Sequence, residues 1–145
     1  MPLTEKACIQ INQALFSLTH AYESRMEKES DNSLSLSDCS LLLVLHQFAP
    51  TTAAQLSRIM DINPGTISVY VNNLVKKGLL KREQDPDDRR NWWLTLTDKG
   101  KPVAANVVRY AAVYTRDFLS GLSEEEQKSL HTLLLKASKS LGYSW

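Results

Sequence analysis

Cysteine, glycine and proline are scarce in this chain: two, five and five residues of 145. Two cysteines, Cys8 and Cys39, give neither a disulfide framework nor a C-x-x-C metal spacing. A stapled secreted scaffold is therefore excluded, and a reduced, cytoplasmic protein is expected. His20, His46 and His131 fall on three different expected helices without ligand spacing, so no metal and no cofactor are expected. There is no Gly-rich phosphate loop, no nucleophile elbow and no carboxylate pair at a working spacing, which argues against an enzyme. The glycines instead fall at helix ends and turns. The longest uninterrupted apolar stretch, Leu41 to Leu45, is far short of a membrane span, and Met1 to Lys6 lacks the layout of a secretion signal. Internal repeats and low-complexity segments are absent too.

What is present is an ordinary globular composition, 43% hydrophobic and 23% charged, at a length that suits one domain. The net charge of +1 hides an asymmetry. Residues 1–54 carry three basic and six acidic side chains, 55–101 carry nine and six, and the remainder five and four. A net-positive middle between a negative flank and a near-neutral one hints at a polyanionic partner, although runs of Lys and Arg are more often only a solvated face.

Capping chemistry and periodicity divide the chain into helices around one hairpin. Ile11, Leu15, Leu18, Tyr22 and Met26 form an apolar stripe that fails in the polar run Glu27 to Ser33. Ser35 with Asp38 is a capping box, and the helix it opens is apolar nearly all round from Cys39 to Phe48, as a central buried helix would be. Thr52 with Gln55 opens a short helix. Asn63-Pro64 starts the next, which carries Ile67, Val71 and Leu74 inward and stops at Lys77-Gly78. Leu79 to Gln84 and Trp92 to Thr97 read as two strands joined by a charged turn, Asp85-Pro86-Asp87-Asp88. Adjacent Trp92 and Trp93 must face opposite ways, and the alternation with Leu94 and Leu96 places Trp92 inward and Trp93 outward. Helical patterning resumes after Gly100 and again after the capping box Ser123/Glu126, where Leu130, Leu133, Leu134, Ala137 and Leu141 line one face. The three Glu residues after Ser123 suit the dipole at a helix N-terminus.

Two short helices joined by a tight break and followed by a hairpin make a winged helix-turn-helix. The expected fold is mainly α: this lobe with its two-stranded wing over 35–101, flanked by dimerisation helices over 1–34 and 102–145, all one intertwined domain. Such a lobe suits double-stranded DNA, because an α-helix fits the major groove, where each base pair presents a distinct pattern. With Ile67, Val71 and Leu74 committed to the core, Gly65, Thr66, Ser68, Val69, Asn72 and Asn73 lie on or near the outer faces. Arg89 and Arg90 at the hairpin tip have the form of a minor-groove probe. Lys76, Lys77, Lys81 and Arg82 add candidate phosphate charge.

The residues Asp85-Pro86-Asp87-Asp88-Arg89-Arg90, then Leu94-Thr95-Leu96-Thr97-Asp98-Lys99-Gly100, resemble the wing signature of the MarR family of bacterial and archaeal transcription regulators. Ala54-Gln55-Leu56-Ser57, Thr66-Ile67-Ser68 and Leu74 through Leu80 match its helix-turn-helix in register. The resemblance covers roughly residues 36–101. It implies a homodimer whose terminal helices interlock, reading a palindromic or near-palindromic operator in successive major grooves; the expected role is that of a repressor. It implies that Asp88 braces the wing through a salt bridge with Arg90, and that Arg90 or Arg89 enters the minor groove. The position of Val69 is often basic in the family, and this helix has no Lys or Arg before Lys76, so an Arg–guanine fork is not expected here.

The same resemblance implies a small aromatic or phenolic effector between the dimer helices and the DNA-binding lobe, with Tyr22, Cys39, His46, Tyr110 and Tyr114 as candidate lining. Some relatives sense oxidants through a cysteine near the N-terminus, which points to Cys8. Only Lys6 adjoins Cys8 in sequence, and thiolate activation needs cationic neighbours, so an ordinary thiol is the favoured reading of it, as core is of Cys39. Two alternatives to a ligand-relieved repressor stay open: a redox-sensing regulator of the same fold, and a winged-helix adaptor that binds protein rather than DNA. Salt dependence separates the adaptor from a DNA binder, being steep for phosphate contacts and shallow for an apolar interface.

Overall fold

The computed structural model describes residues 2–29 and 33–141; residues 30–32, inside the expected polar break, lie outside it. Six helices and one hairpin follow in the order α1 (Glu5–Glu29), α2 (Leu36–Phe48), α3 (Ala53–Met60), α4 (Pro64–Lys76), β1 (Leu80–Gln84), β2 (Trp92–Leu96), α5 (Gly100–Leu119) and α6 (Glu124–Ser140). Three of the helices open on capping boxes with both bonds formed, at Ser35/Asp38, Thr52/Gln55 and Ser123/Glu126. Asn63 caps α4 by accepting from the Gly65 N–H at 2.7 Å, and Pro64 supplies the first turn without an orphan donor. None of the described helices is long and apolar enough to cross a membrane.

α2 is the centre of the molecule. Leu41, Leu42 and Leu45 are 0% exposed and meet Leu56 of α3, Ile67, Val71 and Leu74 of α4, Leu80 and Leu94 of the hairpin, and Ala104 and Val107 of α5 in one core. The strands pair antiparallel with Leu80 opposite Leu96 and Gln84 opposite Trp92. A short bridge extends the sheet, with Thr51 and Leu94 exchanging bonds at 3.2 and 2.7 Å, so the wing is tied to the entry of α3 as well as to itself.

Between α3 and α4 the chain turns through Asp61 in the left-handed region (φ 48°), held by Ser57 Oγ donating to the Ile62 carbonyl at 2.6 Å. A short polar side chain tolerates that conformation better than most. Gly78, at φ 73°, performs the same service after α4. Gly100 answers a different demand. A Cβ there would lie 1.9 Å from the Leu79 carbonyl oxygen, because α5 starts directly against the strand entry. Thr97 locks this junction by donating to the Gly78 carbonyl at 2.6 Å while accepting from the Gly100 N–H at 2.9 Å. The Thr97-Asp98-Lys99-Gly100 run thus has a mechanical reason: it couples the wing to α5.

The ends differ from this centre. On α1 only Met26 is buried, while Ile11, Leu15, Phe16 and Leu18 stand exposed. α6 buries nothing, and Leu133, Leu134 and Leu141 are open. Near the C-terminal end of α5, Val113 and Phe118 are exposed as well.

Candidate nucleic-acid interface

The front of α4 is small and neutral up to Lys76 in its last turn. Gly65, Thr66, Ser68, Val69, Asn72 and Lys76 are all exposed there, while Ile67, Val71 and Leu74 point into the core. Thr and Ser hydroxyls can bond base edges or phosphates, and the Val69 methyls suit a thymine methyl.

The wing tip is held by its own polar groups. Asp85 Oδ1 accepts from the Asp87 N–H at 2.9 Å, the Asp85 N–H donates to the Asn91 carbonyl at 2.9 Å, and Gln84 Nε2 donates to the Arg89 carbonyl at 2.8 Å. Arg90 forks onto Asp88, Nε to Oδ1 and Nη2 to Oδ2, both at 3.0 Å, with its own N–H on Oδ1 at 3.1 Å. These bonds hold the Asp88 carboxyl below the usual carboxylate range and push the Arg90 guanidinium further up. The pair therefore stays ionised at neutral pH. Its brace persists above the ordinary carboxylate pKa and is lost as the pH falls through the lowered one. The Arg90 side chain remains 89% exposed, so the fork fixes its direction without hiding it. Arg89 is exposed beside it.

Several of the basic residues after α4 are already held by partners within the chain. Lys77 Nζ pairs with Asp38, a carboxylate that is 1% exposed and already accepts the Ser35 N–H at 2.9 Å, and it also reaches the Ser33 carbonyl at 2.8 Å. Lys77 is thus a pin between the end of α4 and the start of α2, not a free phosphate contact. Arg82 Nη2 donates to Asn72 Oδ1, so a wing-strand cation is held by the front of α4. Lys81 pairs with Glu83 at 2.8 Å, which raises its pKa.

The tryptophans reverse their expected exposure. Trp93 is half-buried with its indole N–H on Asp85 Oδ2 at 3.1 Å, whereas Trp92 is 48% exposed. Alternation does put Trp92 on the face of Leu94, but that face runs out of core beyond Leu94. There it opens into a notch lined by Ala53, Ser68, Val71, Arg82 and Leu94. Sequence alternation fixes a side chain's face and not how far the opposing layer reaches, so this inversion had no sequence signal. The Asn72–Arg82 and Asp85–Trp93 bonds were equally invisible there.

The five candidate effector-lining residues do not share one pocket. Cys39 and Tyr110 line a cavity of about 200 Å³ with Met26, Leu34, Val103 and Val107, and with Glu29, Ser33 and Asn106 at its polar edge. Tyr114 packs edge-on against Tyr22, with centroids 5.4 Å apart, and donates to the Ala21 carbonyl, with the Arg25 guanidinium over its ring. Burial, then the nearby Cys39 and Tyr114, raise the Tyr22 pKa and keep its phenol neutral. His46, exposed near the far end of α2, borders two open clefts instead, since about two turns of helix separate it from Cys39. Cys8 is exposed on α1, and Cys39 is buried. Among the described residues no cluster of three metal-ligating side chains occurs.

The family model for the MarR family matches residues 32–91. The regulator PecS of Dickeya dadantii is 32% identical over 115 residues, which span 77% of this chain and 69% of PecS. The chain belongs to the MarR family. A probable transcriptional regulator from Pseudomonas aeruginosa superposes with a TM-score of 0.74 at 28% identity, covering 88% of this chain and 96% of that one. FabT of Streptococcus pneumoniae, solved in complex with DNA, gives 0.77 at 25% identity over 91% and 95%. As a MarR-family helix-turn-helix regulator, the chain is a DNA-binding protein of transcription and not an enzyme. The match with the family model spans α2 to the wing tip, the stretch whose side chains build the surface described above.

Proposed function

We propose that the chain acts as a homodimeric repressor on a near-palindromic operator, released when a small ligand binds. The observation that carries this reading is the Arg82–Asn72 bond, which joins the wing to α4 so that helix front and wing tip form one surface. Thr66, Ser68 and Val69 would read the major groove, and Arg90, aimed by Asp88, the flanking minor groove, with Lys76 and Arg89 on phosphate. The exposed apolar faces of α1, α5 and α6 suit a second copy, and two-fold pairing would set two such surfaces on successive major grooves. A ligand in the cavity at Cys39 and Tyr110 would touch α1, α2 and α5 together, and it relieves repression if it favours an arrangement of these helices that DNA does not.

Fluorescence anisotropy on duplex tiles from the gene's own upstream region, at two salt concentrations, tests this. Tight, steeply salt-dependent binding to one near-palindromic tile at two protomers per duplex is expected. Absence of binding even at low salt would overturn the reading in favour of a protein-binding adaptor.

A further inference from the structure

The DNA-binding reading accounts for the α4 front and the wing tip but leaves the surface between them, apart from Ser68 and the Arg82–Asn72 tie, without a role. That surface is the notch where Ser68 of α4 faces Arg82 and Trp92 of the wing strands. Trp92 is exposed there, and its indole N–H has no partner among the described residues, while the neighbouring Trp93 indole is already committed to Asp85. A tryptophan 48% exposed on the inner face of a wing keeps about half of a large apolar ring in water. Where one protein element enters the major groove and the next enters the adjoining minor groove, the sugar-phosphate strand between those grooves must pass over whatever joins the two elements. Here the joining surface presents an indole donor, a serine hydroxyl and a guanidinium steadied by Asn72.

We propose that Trp92 is a DNA-contact residue that seats this intervening backbone strand, its N–H on a phosphate oxygen and its ring against the adjoining deoxyribose. The proposal rests on the DNA-binding reading and extends it to a residue outside both reading elements. An indole donates one hydrogen bond and carries no charge, so its contribution is to affinity and register and not to counterion release.

Short random duplexes enriched on the wild-type protein provide the probe, and binding is compared for wild type, Trp92→Phe and Trp92→Ala. Trp92→Phe keeps an aromatic ring, smaller than the indole, and loses the donor; we expect affinity to fall roughly tenfold, and further in Trp92→Ala, with the salt slope unchanged in both and the melting temperature unchanged in Trp92→Phe. A methylphosphonate scan of the duplex should then find one position per half-site that weakens wild type but adds no loss in Trp92→Phe, the coupling expected of a direct contact. Both variants binding within twofold of wild type would overturn the role of Trp92 while leaving DNA binding intact. Failure of the wild type to enrich any duplex would overturn the DNA-binding reading as well.

Discussion

α2 and α6 are built from similar material and meet opposite fates. Each opens on a complete capping box and carries a run of leucines, yet in α2 Leu41, Leu42 and Leu45 are wholly buried, and in α6 no residue is. The central helix finds cover over most of its surface from α1, α4, α5 and the wing. The last helix is held to the chain by its cap and by Gln127 donating to the Leu119 and Leu122 carbonyls at 3.2 and 3.0 Å. Helical stability in proteins comes mostly from packing an apolar face, and α6 has none packed within the described residues. The lesson is that the lobe is a finished single-chain core, whereas the ends are half of a core that a second chain completes in the proposed dimer.

The largest expected effect follows from removing the chain from Ser123 onward. Self-association should be abolished or the product left insoluble, read by size-exclusion chromatography with light scattering; a stable, well-behaved dimer would show that the ends are not the interface. Next comes the pin inside the lobe. Asp38→Ala removes the N3 half of the α2 capping box and strands Lys77, and the melt should report a loss of about 3 kcal/mol, below the upper range for a buried pair because Lys77 is partly exposed. Gly100→Ala attacks the junction of the two regions. A methyl cannot fit 1.9 Å from the Leu79 carbonyl, and a stability loss of about 2 kcal/mol is expected. Arg90→Ala should leave fold and self-association alone and weaken operator binding by about 1–3 kcal/mol in an anisotropy titration. Unchanged affinity would remove Arg90 from the minor groove. Smallest of all, Cys8→Ser should shift DNA affinity and its response to peroxide by less than about twofold, because the exposed thiol has no cationic partner among the described residues. A peroxide response lost in Cys8→Ser would instead establish the redox-sensing alternative.

Much of this architecture was legible in residues with a local signature. Ser35/Asp38, Thr52/Gln55, Asn63-Pro64, Gly78 and Ser123/Glu126 marked helix ends because caps are short-range chemistry. The wing followed from its turn and alternation. What stayed hidden depends on how far one layer extends over another. Leu133 and Leu134 look like core in a periodicity plot, and nothing local says that their cover is missing from the chain. Trp92 and Trp93 alternate as expected, but their exposure is set by where the opposing layer stops. Lys77 carried the same basic signature as Lys76, and only its distance to a buried carboxylate from a remote helix separates them.

The central claim, that the exposed faces of α1, α5 and α6 are buried by a second copy, is tested most directly by sedimentation equilibrium of the full chain across a range of concentrations. A species of twice the 16.4 kDa chain mass, persisting on dilution and dissociated by Leu133→Glu paired with Phe16→Glu, is predicted. A stable monomer at every concentration would contradict the account.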